Sequence, residues 1–200
     1  MAKYQYRSQP FYPLLRLARY ELEDVDRLVI WSEQQRQARE KLLERLTQSD
    51  EQFVDDVAEI DAFAQLYAEC AVVALWRCVE LFRKRLTAKV IGPPEAGKIF
   101  QRKDFCLALN KLGILESNLH CSKSVNELRC INNAVKHDGY VGEMLAALHR
   151  WKQRSGEEIG DLRPHYVRLR PLTERYMNDL TKRATRVSVA RPVMRDVKVV

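Results

Sequence analysis

The apolar positions of this chain recur mostly at intervals of three and four residues, the spacing of a helix that buries one face. Pro13 suits a first helical turn. After it, Leu14, Leu15, Leu17, Leu22, Val25, Leu28, Val29 and Trp31 form an apolar stripe, and the pattern predicts a helix to about Gln48. Its second half, E-Q-Q-R-Q-A-R-E-K-L-L-E-R, is charged enough to read as an exposed end or arm. Ser49 and Gln52 are spaced as a capping box, opening a second helix that can run to about Lys89. Asp50, Glu51, Asp55 and Asp56 crowd its first turns, where the positive end of the helix dipole favours them. Its later part, Y-A-E-C-A-V-V-A-L-W-R-C-V-E-L-F-R-K-R-L, is apolar nearly all round and is expected to be the central core helix. Glu69 and Glu80 interrupt it and are expected at its surface edge or paired with an arginine.

The remaining elements are shorter. V-I-G-P-P-E-A-G-K-I-F-Q-R-K at 90–103 is the clearest loop. Its G-P-P-E-A-G-K is not a phosphate-binding loop: no Ser or Thr follows the lysine, two prolines remove cradle N–H groups, and a helix precedes it. A short helix is expected from Lys103 to Leu112, ending at Gly113. Another follows at Ser124–Gly139, S-V-N-E-L-R-C-I-N-N-A-V-K-H-D-G. There Ser124 and Glu127 have capping-box spacing, Asp138-Gly139 supplies a stop, and Leu128, Ile131 and Val135 share one face with Ala134 at its edge. Met144, Leu145, Leu148 and Trp151 predict a helix over 142–153. Tyr166–Arg170, Y-V-R-L-R, alternates like a strand or a linker, and Pro171 opens a helix to about Arg186. The fold expected is all-α: a helical bundle with two long antiparallel helices and shorter packed helices. Residues 1–162 form its helical domain and 163–200 a basic C-terminal helix and tail.

Composition adds constraints. Seven glycines and seven prolines, with 46 % apolar residues, suit long helices better than a many-stranded sheet. No apolar run approaches the roughly eighteen residues of a membrane span, and the basic start M-A-K-Y-Q-Y-R-S has no apolar stretch after it, so neither a transmembrane helix nor a secretory signal is expected. The five cysteines form no C-x-x-C pair; zinc is not expected, no cofactor is implied, and a reducing cytoplasm suits the odd count. Cys70 and Cys78 lie in the apolar helical pattern, where buried free thiols are common. The net charge of +7 is concentrated: residues 163–200 hold ten Lys/Arg against three Asp/Glu. Such an element suits contact with nucleic acid or an acidic partner, or else a solvated amphipathic helix.

The helix at 124–139 carries the candidate chemistry. Opposite its apolar face stand Arg129, Asn132, Asn133, Lys136 and His137, two amides and three cationic types with no carboxylate among them, a set suited to holding an anion. With the apolar 74–84 helix before it, E-L-R-C-I-N-N-A-V-K-H-D-G at 127–139 resembles the signature of the HEPN superfamily of small helical bundles, over roughly residues 50–150.

That resemblance implies a metal-independent ribonuclease, of toxin or host-defence type, in which two subunits face each other across one composite site. Family members place an arginine ahead of the histidine with four to six residues between the two, and a polar residue directly after the arginine. His137 then matches the histidine and Asn133 the polar residue, while Asn132 stands where the arginine is expected. Arg129 is separated from His137 by seven residues, one more than the motif allows. Cleavage without metal needs an acid or base near neutral pH and a cation for the phosphorane charge. By resemblance, His137 is the acid/base, Arg129 and Lys136 the electrostatic clamp, Asn133 the orienter and Asn132 secondary. RNA, a second copy of the chain, and a protein partner or antitoxin are the partners implied. The alternative is a non-catalytic HEPN-like subunit that binds RNA, a nucleotide or a protein. His120, His149 and His165 are expected at the surface.

Overall fold

The computed structural model describes residues 11–46, 53–91, 102–137 and 139–190. Every regular element among them is helical: α1 (Tyr12–Leu46), α2 (Phe53–Ile91), α3 (Arg102–Lys111), a 3-10 turn (Glu116–Asn118), α4 (Ser122–His137), α5 (Glu143–Ala146), a second 3-10 turn (His149–Trp151) and α6 (Arg163–Ala190). The Ser49 capping box, residues 92–101 of the proline loop and Asp138 lie outside the described residues, while the ends of the expected loop, 90–91 and 102–103, are helical. The bundle is all-α, as the periodicity predicted.

α1 and α2 are antiparallel, because their partners run in opposite order. Glu21 accepts from Arg85 at 2.6 Å, Trp31 meets Tyr67 edge to face at 5.7 Å, and Arg39 lies over Phe63. α2 is the central helix: Ala71, Val72, Leu75, Val79 and Phe82 have no exposed surface. Its Glu59–Val90 stretch is long and apolar enough to cross a membrane by those two measures alone, a test that the core helix of a bundle also passes, and 39 % of the qualifying window is buried in this fold. Glu80 sits at the edge and pairs with Arg77 at 3.5 Å. Cys78 is buried as expected, but Cys70 is exposed, because it falls on the side of the helix turned away from α1 and α6.

A buried cation ties four elements together. The Arg83 guanidinium, on α2, donates to Glu116 Oε1 at 2.6 Å and to the Tyr176 hydroxyl at 2.8 Å. Its carbon lies 5.4, 4.7 and 5.2 Å from the ring centres of Trp76, Phe105 and Tyr176. Burying a charge costs several kcal/mol, roughly, unless a counter-charge and hydrogen bonds offset it, and here three ring faces add to both. Glu116 also accepts from Arg102 at 3.0 Å and from the Cys106 thiol at 3.1 Å. The network pins the 116–118 turn, and with it the start of α4.

Three expectations change. Residues 166–170 are neither strand nor linker: α6 begins at Arg163, and Pro171 lies inside it. Tyr166, Leu169, Thr173, Tyr176, Met177, Leu180 and Ala184 all bury along one side, so helical burial from 166 to 184 outweighed a five-residue alternation. Pro164 in the first turn has no N–H to leave unpaired. The expected helix at 142–153 is one turn, α5, followed by a 3-10 turn; burial of Leu145 and Trp151 is kept, with Leu148 partly buried. α4 starts at Ser122, two residues before Ser124, and Glu127 does not cap it.

Candidate functional site

α4 packs its apolar side into the bundle. Val125, Leu128 and Ile131 are essentially fully buried and Ala134 nearly so, each large side chain contributing about 2 kcal/mol. The helix stops where Gly139 turns to φ +74°, and the Gly139 N–H closes back onto the Ala134 carbonyl at 2.9 Å. A side chain there would be strained in that left-handed backbone.

Glu127 lies on the buried side of the helix, 8 % exposed. Its Oε1 accepts from Arg168 at 2.6 Å and from the Trp151 indole N–H at 3.0 Å. The residue expected to cap α4 instead holds the helix to α6 and to the turn at 149–151. Trp151 is fully buried and stacks on His165 at 4.6 Å, so His165 is packed rather than a surface group. Burial, followed by the charge of Arg168, lowers its pKa below the ordinary 6.5, and its Nδ1 has no hydrogen-bond partner among the described residues.

The five candidate residues separate. Arg129, Asn133, Lys136 and His137 lie within about 100° of one another around α4, on the side not covered by the bundle; Lys136 and His137 are exposed and the other two half-buried. Arg129 donates to Asn126 Oδ1 at 3.4 and 3.2 Å. Among the described residues neither Lys136 nor His137 has an ion-pair partner. Asn132 does not share that side. It is 2 % exposed, donates to Asn133 Oδ1 at 3.3 Å, and leaves its own Oδ1 without a partner. A cation in its position would be inside the bundle rather than beside His137.

The open stripe continues toward the start of α4, where Asn126 also lines a cleft of about 620 Å³. That volume is in the range of ligand-sized sites. Arg102, Lys123, His149, Arg150 and Arg168 surround it, Leu148 and Leu172 form its apolar part, and Glu127 is its one carboxylate among the described residues. Two of the cations are committed, Arg102 to Glu116 at 2.9 Å and Arg168 to Glu127 at 2.6 Å. Lys123 and Arg150 are exposed and have no ion-pair partner among the described residues.

Reading the sequence did not find this cleft. Its cations come from α3, α4, the 149–151 turn and α6, positions up to 66 residues apart (102 to 168), and no local spacing marks them. Chemically, stripe and cleft together suit the holding of an anion. Among the described residues no hydrogen bond joins His137 to Arg129 or to Asn133. Nor do three His, Cys, Asp or Glu side chains gather there to hold a metal ion. Compared with family models, curated proteins and solved structures, the chain matches none.

Proposed function

We propose that the chain is a HEPN-like cytoplasmic subunit that holds RNA on the open side of α4, with Arg129, Lys136 and His137 facing the phosphates and Asn133 between them. The observation that carries this reading is the asymmetry of α4: Arg129, Lys136 and the His137 imidazole lie on its open side without a carboxylate partner among the described residues, while Asn132, in the place of the expected arginine, is buried. Two cations without a carboxylate partner on one open helix side attract phosphate, and binding built on them weakens with salt as counterions are released.

Cleavage is the second reading of the same side, in the toxin or host-defence setting the resemblance implies. It is favoured by the exposure of His137 at the helix end, next to Lys136. An exposed imidazole is free to act as acid or base, and a second copy of the chain, or a protein partner, would then supply the cation missing at Asn132. Incubation of the purified protein with structured and unstructured RNA in chelator separates the readings. Binding with no product supports the first. Cleavage that His137→Ala abolishes establishes the second. Absence of both binding and cleavage contradicts the two together.

A further inference from the structure

A second cleft, of about 650 Å³, lies on the other side of the 116–120 segment. His120, Arg175, Lys182 and Arg183 line it, with Asp179 as its one carboxylate among the described residues. That carboxylate is engaged internally: Asp179 accepts the His120 backbone N–H at 2.8 Å and Arg183 Nε at 3.2 Å, while Arg183 also donates to the Asn118 carbonyl at 2.6 Å. These bonds hold the segment down on α6 as a ridge, with Ser117 lining the first cleft and Asn118 the second.

The two clefts share α6 as a wall. Arg168 and Leu172 face the first, and Arg175, Asp179 and Lys182 the second. At 100° per residue these five positions, with Arg186 after them, fall within about 80° of the helix circumference. Arg168, Arg175 and Lys182 are seven residues apart, a basic side chain about every 10 Å over roughly 21 Å; Arg168 is paired with Glu127, and Asp179 in the same row is held by Arg183 and the His120 N–H. Among the described residues Arg175 and Lys182 have no ion-pair partner, and both are exposed. A single small anion would need one such cleft. Two in line, with cations recurring along one helix, match a polymer whose own charges recur.

We infer that α6 carries a backbone-binding track for nucleic acid, which runs from the first cleft over the 117–120 ridge into the second and extends the open side of α4 through Asn126. The inference rests on the reading of RNA as the ligand and adds a surface to it. Among the described residues no Phe, Tyr or Trp lines either cleft, so cationic side chains outweigh the large aromatic platforms that grip unpaired bases. The track contacts phosphates, which position a strand without reading its sequence.

The test uses the full chain with labelled oligonucleotides of about twelve nucleotides: single-stranded RNA of several sequences, single-stranded DNA, and a duplex RNA. The double variant Arg175→Glu/Lys182→Glu is compared with Arg129→Ala/Lys136→Ala on α4, after both are shown to melt at the wild-type temperature. The expected result is binding that varies little with sequence. The α6 variant should weaken it about tenfold or more at roughly 0.1 M salt, with a salt dependence shallower by about 1.4 to 1.8 in slope. RNA and DNA weakened alike supports a phosphodiester track; loss confined to RNA means that 2′-hydroxyls are read and overturns a backbone-only track. If the α4 variant weakens binding and the α6 variant does not, the track is wrong and the α4 reading stands. If the wild type binds none of the probes, both fail.

Discussion

Glu127 and Arg168 are joined by a 2.6 Å hydrogen-bonded ion pair between α4 and α6, shielded on one side by Trp151, whose indole N–H donates to the same oxygen. The pair fixes how α4 sits against the C-terminal helix, and therefore where the first cleft opens. Removing the carboxylate leaves a partly buried guanidinium and a buried N–H unsatisfied. Glu127→Ala is expected to cost about 3 kcal/mol, the lower end for a broken buried pair because Arg168 keeps some contact with solvent. Ser124→Ala, by contrast, should cost less than about 0.5 kcal/mol, as a side chain away from any cap. Urea unfolding of the two variants measures both. A Ser124→Ala loss near the ~1 kcal/mol of a removed N-cap, together with a small Glu127→Ala effect, would restore the capping box.

That contrast shows what the sequence made legible. The apolar positions of α4, the stop at Gly139 and the two long helices follow from periodicity and backbone freedom, properties that act over a few residues. The role of Glu127 does not, since its partners are 24 and 41 residues away and either role satisfies the same spacing. Asn132 and Asn133 are adjacent and chemically identical, yet one is buried and one half-exposed. A turn of 100° across a helix edge decides this, and the edge is set by where α2 and α6 pack. The alternation at 166–170 misled because five residues cannot distinguish a strand from a helix whose burial continues to Ala184.

Stability in acid should depend on Glu116. Burial would raise its carboxyl, but Arg83 first, then the Cys106 thiol and Arg102, hold it below the ordinary 4.5. The folded-state pKa is therefore below the unfolded one. The stabilisation is complete above the ordinary carboxylate range and is lost as pH falls through the lower folded value. Melting temperature recorded from neutral pH into acid should drop for the wild type, and Glu116→Gln should drop less steeply while starting lower. Parallel acid limbs for the two proteins would show that the network contributes no proton linkage.

A second linkage comes from His165, at a higher pH. Arg168, Arg154 and Arg150 oppose its charging and Glu127 favours it, with burial the largest influence, so the folded protein prefers the neutral ring. Its contribution is complete above 6.5 and fades as pH falls below that value toward the lower folded one. His165→Phe keeps a ring against Trp151 and removes the titration. Between about pH 6.5 and 5 its unfolding free energy should change less than that of the wild type. An unchanged slope would mean that the imidazole exchanges protons equally in both states.

The central claim is that RNA lies on the open side of α4, and the affinity of the Arg129→Ala/Lys136→Ala variant for single-stranded RNA tests it most directly. Measured in chelator at several salt concentrations on protein that melts like the wild type, the dissociation constant should rise about tenfold at roughly 0.1 M salt, and the salt slope should shrink by about 1.4, two phosphate contacts having been lost. An affinity and a salt slope equal to those of the wild type would contradict it.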